Sequence, residues 1–135
     1  MEVEYTTIGI NSTNPQRLYE WYRDTLGLPV VEGEDHGPTA LNAGGTIVSF
    51  GEHSEITGPT KEPARHLTSL FVADIDKEQE RLVAAGAQCV RDRGREFWGG
   101  IISTFVDPDG NYIQLIQYHP GKAQMPEPAA AGQPA

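Results

Sequence analysis

Few side chains in this 135-residue sequence are suited to chemistry, and each can be weighed separately. Of the four histidines, His66 stands at the start of an apolar run, His66-Leu-Thr-Ser-Leu-Phe-Val72. A neutral imidazole carries one donor and one acceptor, so His66 can ligate a divalent metal, relay a proton or hold a polar ligand. The competing reading is a buried histidine satisfied by a neighbouring side chain. His53 lies four residues beyond Ser49 and shares its face on an unbroken strand, and a bulge at Gly51 would bring it, or Glu52, toward the same cavity. The Gly and Pro around it favour a polar loop instead. His36 and His119 sit in loop-like and tail-like contexts. The single Cys89 excludes an internal disulfide and a Cys-based zinc finger, and reads as a small core residue. Arg91, Arg93 and Arg95 share one face of any unbroken strand, either to greet an anionic ligand or as a solvated, charged edge. Phe97 and Trp98 precede Gly99-Gly100, a bulky pair beside a flexible hinge. Trp98 can stack on a flat ligand at a pocket lip, or pack at the rim.

The elements that must position these residues occur twice. An apolar strand, an amphipathic helix and a Gly run from Thr7 to Gly27 and recur from His66 to Gly86, an offset of 59. In the first copy the strand is Tyr5–Asn11, Asn14-Pro15 caps and opens a helix, and Leu18, Trp21, Tyr22, Thr25 and Leu26 fall at helical spacing. Trp21 and Tyr22 read as core. Strands follow at Pro29–Glu32, Thr39–Asn42 and Thr46–Phe50, the last two around the Gly44-Gly45 turn signal. In the second copy a strand at Arg65–Val72 leads to a helix at Asp74–Ala85 with Leu82 and Val83 inward. Strands at Gln88–Arg93, Ile101–Val106 and Asn111–Tyr118 complete it, the last pair around Asp107-Pro-Asp-Gly110. Each copy reads β-α-β-β-β, too few strands to bury a sheet face alone, so the copies must pair around a cavity, within one chain or between chains. The expected fold class is α+β, two βαβββ modules in a curved, mostly antiparallel sheet. One domain over residues 1–120 holds module one at 5–57, a linker at 58–64 and module two at 65–118; residues 121–135 form a flexible Ala/Pro/Gly tail.

Composition narrows the partners. The net charge is −9, and residues 1–59 hold two Arg against nine Asp and Glu. An acidic chain without a basic stripe is a poor nucleic-acid binder. Apolar runs are too short to span a membrane, and the N-terminus lacks the features of a secretory signal, so the expectation is a cytoplasmic protein.

With the copies aligned, the sequence resembles the vicinal-oxygen-chelate superfamily of glyoxalase I, bleomycin-resistance proteins and extradiol dioxygenases. Three stretches carry the resemblance: Trp21-Tyr-Arg-Asp-Thr-Leu-Gly27, His66–Val72 and Phe105-Val-Asp-Pro-Asp-Gly-Asn-Tyr-Ile-Gln-Leu115. It implies a dimer and, in metal-dependent relatives, four ligands from the first and last strands of each copy. Those positions map here to Thr7, His66, Ser49 and Gln114. His66 is a good ligand, Gln114 a weak neutral one, and Thr7 and Ser49 poor ones, with no carboxylate among them. No metal and no cofactor are therefore expected.

The leading expectation is a metal-free protein that binds a small aromatic or antibiotic-like molecule. Trp98 would stack on the ligand, with Thr7, Ser49, His66 and Gln114 as its polar contacts. One alternative is a metal-independent isomerase or cyclase with His66 as catalytic acid or base. Another is a metal enzyme of the glyoxalase or dioxygenase type, its ligand set rebuilt with His53 or Glu52.

Overall fold

The computed structural model describes residues 1–32 and 39–118. His36, His119 and the Ala/Pro/Gly tail lie outside the described residues. The chain divides into two compact units, Met1–Glu62 with Asp107–Asn111, and Pro63–Val106 with the residues from Tyr112 onward.

In the first unit, β1 (Thr7–Asn11) leads to α1 (Pro15–Glu20), which continues as a π-helical turn over Trp21–Thr25. Asn14 caps α1, its side chain accepting from the Arg17 backbone N–H at 3.2 Å, and Pro15 needs no hydrogen-bond partner at that position. β2 (Ala40–Ala43) and β3 (Thr46–Gly51) flank Gly44-Gly45, whose φ of 59° and 102° suit a two-residue hairpin turn. The sheet order is β1-β3-β2, with β1 parallel and β2 antiparallel to β3. The strand expected at Pro29–Glu32 is reduced to a single bridge, Val30 to Leu41. Alternation along β3 turns Val48 and Phe50 to one side, where Phe50 meets Tyr19 and Tyr22 with ring centroids 6.0 and 5.0 Å away. Leu18, Tyr22, Leu41 and Val48 are fully buried there. Trp21 is only half-buried, so Tyr22 is the core residue of the expected pair.

The Asp107–Asn111 turn clusters with this unit. The Asp107 carboxylate, 4% exposed, accepts from the Tyr22 hydroxyl at 2.7 Å, the Asp109 and Asn111 backbone N–H groups at 2.9 Å and Asn111 Nδ2 at 2.8 Å. Arg17 Nη2 donates to Asp109 Oδ1 at 2.7 Å. Burial first, and then the neighbouring Asp107 charge, push the Tyr22 phenol well above its ordinary value, so its hydroxyl remains a donor.

In the second unit, β4 (Thr68–Phe71), α2 (Ile75–Ala84), β5 (Gln88–Arg95), β6 (Ile101–Val106) and β7 (Tyr112–Gln117) form a sheet of order β4-β7-β6-β5. β4 runs parallel to β7 and the other pairs are antiparallel. Asp74 caps α2, and Ile75, Gln79 and Leu82 are its buried stripe. Val83, expected inward, is 52% exposed, because it falls one residue past that stripe. The Ile75 backbone N–H donates to Gln117 Oε1 at 2.7 Å, which sets the helix against the face of β7 carrying Ile113, Leu115 and Gln117.

The units are thus β-α-β-β and β-α-β-β-β assemblies of one α+β class, hydrogen-bonded as two sheets. Their internal bonding corrects the expected alignment. Asn14 and Asp74 cap the two helices, the pair Gly9 and Ser49 corresponds to Ser69 and Gln114, and Ser12 N–H to Gly51 O corresponds to Val72 N–H to Ile116 O. All these put the first halves of the copies 60 residues apart, whereas Gly27 and Gly86 are 59 apart. The π turn absorbs the difference: Leu26 N–H bonds Trp21 O, five residues back, while its counterpart Ala85 bonds Arg81 O, four back. The residue matching Thr7 is therefore Leu67, not His66.

Candidate functional site

The sequence singles out residues from both units, and of these Thr7, Ser49 and Gln114 lie on the sheet face turned away from the helix of their unit. In the second unit that face carries Ser69 and Phe71 of β4, Gln114 and Ile116 of β7 and Ile102 and Thr104 of β6, aligned by register. Ile102, Thr104 and Ile116 are its buried floor. Gln114 Oε1 accepts from the Ser69 hydroxyl at 3.1 Å, and among the described residues Gln114 Nε2 makes no hydrogen bond.

Three aromatic rings stand beside that amide. Tyr118 follows β7 on the side of Gln114 and Ile116, and stacks on Phe71 with centroids 4.9 Å apart and planes at 28°. Trp98 meets Tyr118 edge-on, 6.0 Å away at 66°. A stacked pair and a perpendicular ring make an aromatic corner, and Phe71 is 56% exposed. Trp98 is legible in the sequence; Phe71 and Tyr118 are not. Their signal is period two along β4 and β7, readable only once the parallel register is known.

Trp98 is held by the turn between β5 and β6. Glu96 N–H donates to Gly100 O at 2.7 Å and Gly99 N–H to Glu96 O at 2.9 Å. Arg95 Nη1 adds a bond to Gly99 O at 3.1 Å, and Arg91 pairs with Glu96. The glycines thus close a bonded turn, where the sequence suggested a flexible hinge. The three arginines do not share a face, since β5 shifts register between Cys89 and Arg91 and again between Arg91 and Gly94. Arg93 instead meets Asp76 of α2 at 2.7 Å. Cys89 is half-buried, its thiol donating to Arg91 O at 3.2 Å; burial raises its pKa, the opposite of an activated thiol.

The paired strand residues on the corresponding face of the first unit include no aromatic ring. Thr7, Gly9 and Asn11 of β1 align with Ile47, Ser49 and Gly51 of β3. Thr7 and Ser49 share this face on adjacent strands, two residues out of register. His53 lies beyond β3, exposed, its Nδ1 accepting from the Glu55 backbone N–H at 3.1 Å, as the loop reading required.

His66 does not lie on a strand. It is exposed in a bend after the Pro63–Arg65 3-10 turn, and β4 begins two residues later, at Thr68. The four positions that the family resemblance assigns to a metal therefore hold Thr7, Leu67, Ser49 and Gln114. Two alkanols, a hydrocarbon and a neutral amide do not fit zinc, iron or nickel, which take imidazole, thiolate or carboxylate donors. Among the described residues no three His, Cys, Asp or Glu side chains group so as to hold a metal. Also among them, no helix is long and apolar enough to cross a membrane.

Solved structures share this fold. A member of the glyoxalase/bleomycin resistance protein/dioxygenase superfamily from Sphaerobacter thermophilus DSM 20745 matches with a TM-score of 0.68 at 23% identity, over 86% of this chain and 98% of that one. TioX from Micromonospora sp. ML1 matches at 0.66 and 20%, over 86% and 99%. A lactoylglutathione lyase from Agrobacterium tumefaciens matches at 0.63 and 13%, over 86% and 95%. At these identities the likeness is one of fold. No curated protein sequence matches the chain. The description Glyoxalase/Bleomycin resistance protein/Dioxygenase superfamily matches residues 5–115, and the chain belongs to that superfamily.

Proposed function

We propose that the protein captures a planar aromatic small molecule on the far face of its second sheet, without metal and without converting it. The observation that carries this reading is the corner formed by Phe71, Tyr118 and Trp98 beside Gln114. Rings supply stacking area at low conformational cost. A ligand carbonyl would accept from Gln114 Nε2 while Ser69 holds the amide oxygen. The amide orients an oxygen but cannot serve as a base near neutral pH, which suits binding rather than turnover. His66 takes no part in this reading, since it lies in the bend before β4 and not on the sheet face. Ser49 and Thr7 are polar groups of the other sheet and take no part in the stacking.

Acridone, a neutral tricycle with one carbonyl, is a direct probe. Saturable binding, recovery of unchanged acridone and loss of binding in Trp98→Ala would support capture. No saturable binding by acridone or by other planar two- and three-ring carbonyl compounds would refute it, as would conversion of the bound compound.

A further inference from the structure

Gly99 and Gly100 follow Trp98 and differ in what they require. Gly99 has φ of 94°, a left-handed conformation that an L side chain rarely adopts. Gly100 is not among the positive-φ residues, so its backbone accepts any L residue. What Gly100 lacks is room. A Cβ built there would overlap the Trp98 ring, its three nearest neighbours being Trp98 Cζ3, Cη2 and Cε3. Gly100 is itself buried, so the six-membered edge of the indole lies directly on its backbone. The Glu96 N–H to Gly100 O bond and the Arg95 bond to Gly99 O hold the turn around that contact.

We infer that Gly100 is the positioning residue of the ligand site: its missing side chain seats the Trp98 indole edge-on to Tyr118, and any Cβ at position 100 displaces the ring and lowers affinity for a planar ligand. The displacement follows from the ring contact alone; the affinity loss rests on the capture proposed above. An indole can swing about two side-chain torsions, so the overlap is relieved by moving the ring rather than by breaking the turn. The seat is then a device for holding the indole ready before a ligand arrives, which lowers the ordering cost of binding.

The test uses the full chain with Trp21→Phe, leaving Trp98 as the only tryptophan. Gly100→Ala should shift Trp98 emission in the ligand-free protein and weaken acridone binding by about tenfold. In the Trp98→Ala background, Gly100→Ala should change acridone affinity and thermal stability hardly at all, giving a non-additive double-mutant cycle. Unchanged emission in Gly100→Ala would overturn the seat. So would equal destabilisation by Gly100→Ala with and without Trp98, or failure of the double variant to fold, since either assigns the glycine to the backbone. If Gly100→Ala alone fails to fold while the double variant folds, the indole contact is confirmed as the cause. If acridone does not bind the parent protein, capture fails and the affinity loss with it, whereas the emission shift still decides the seat.

Discussion

The two units share a β-α-β-β plan, the second with one strand more, and use their aromatic residues in opposite directions. In the first, Tyr19 and Tyr22 of the helix meet Phe50 of β3 in the core, and the face away from the helix carries Thr7, Gly9, Asn11, Ile47, Ser49 and Gly51. In the second, the inward side is mainly aliphatic with Phe105, and the rings of Phe71, Trp98 and Tyr118 stand on or beside the far face. Equivalent positions make the contrast specific: Asn11 corresponds to Phe71, Ser49 to Gln114 and Gly51 to Ile116. One unit puts its rings and the buried Asp107 carboxylate of the second copy into holding itself together, and the other displays its rings. A duplicated scaffold needs only one equipped face to bind a flat molecule.

If the first unit is scaffold, its inward network should dominate stability. Asp107→Ala strands the Tyr22 hydroxyl and two backbone N–H groups, and should cost about 3–5 kcal/mol in urea unfolding. A loss below about 1 kcal/mol would show that the clamp is incidental. If the second face is the equipped one, Trp98→Ala should weaken acridone binding by about 10–100-fold, as expected for loss of one stacking ring, while the urea midpoint hardly moves. Giving the second sheet the residue of the first, Phe71→Asn, should lower affinity by about three- to tenfold, read by calorimetry. Ser49→Ala on the face without rings should change stability by less than about 0.5 kcal/mol and leave acridone affinity unaltered. A large loss of affinity from Ser49→Ala would erase the contrast between the faces.

Much of the scaffold was legible because its signals are local. Asn14-Pro15 capped a helix, Gly27 and Gly86 ended one each, and Asp107-Pro-Asp-Gly110 formed its turn. The site was less legible because it depends on long-range register. The extra residue in the π turn leaves no mark on hydrophobic spacing, yet it moves every residue before it by one position in the alignment of the copies. That single step made His66 look equivalent to Thr7, although Leu67 holds the place. Phe71 and Tyr118 come together only through the parallel pairing of β4 with β7, which separates them by 47 positions in sequence. The arginine row failed for a related reason, since two register shifts in β5 undo its alternation.

The most direct test of aromatic capture without metal is a calorimetric titration of acridone into the full chain. It would be run after chelator treatment, and again with added zinc, nickel, manganese or ferrous iron. The account predicts saturable one-to-one binding of equal affinity in every sample, abolished or weakened at least about tenfold by Trp98→Ala. Binding that appears only with a metal, or that is indifferent to Trp98, would contradict it.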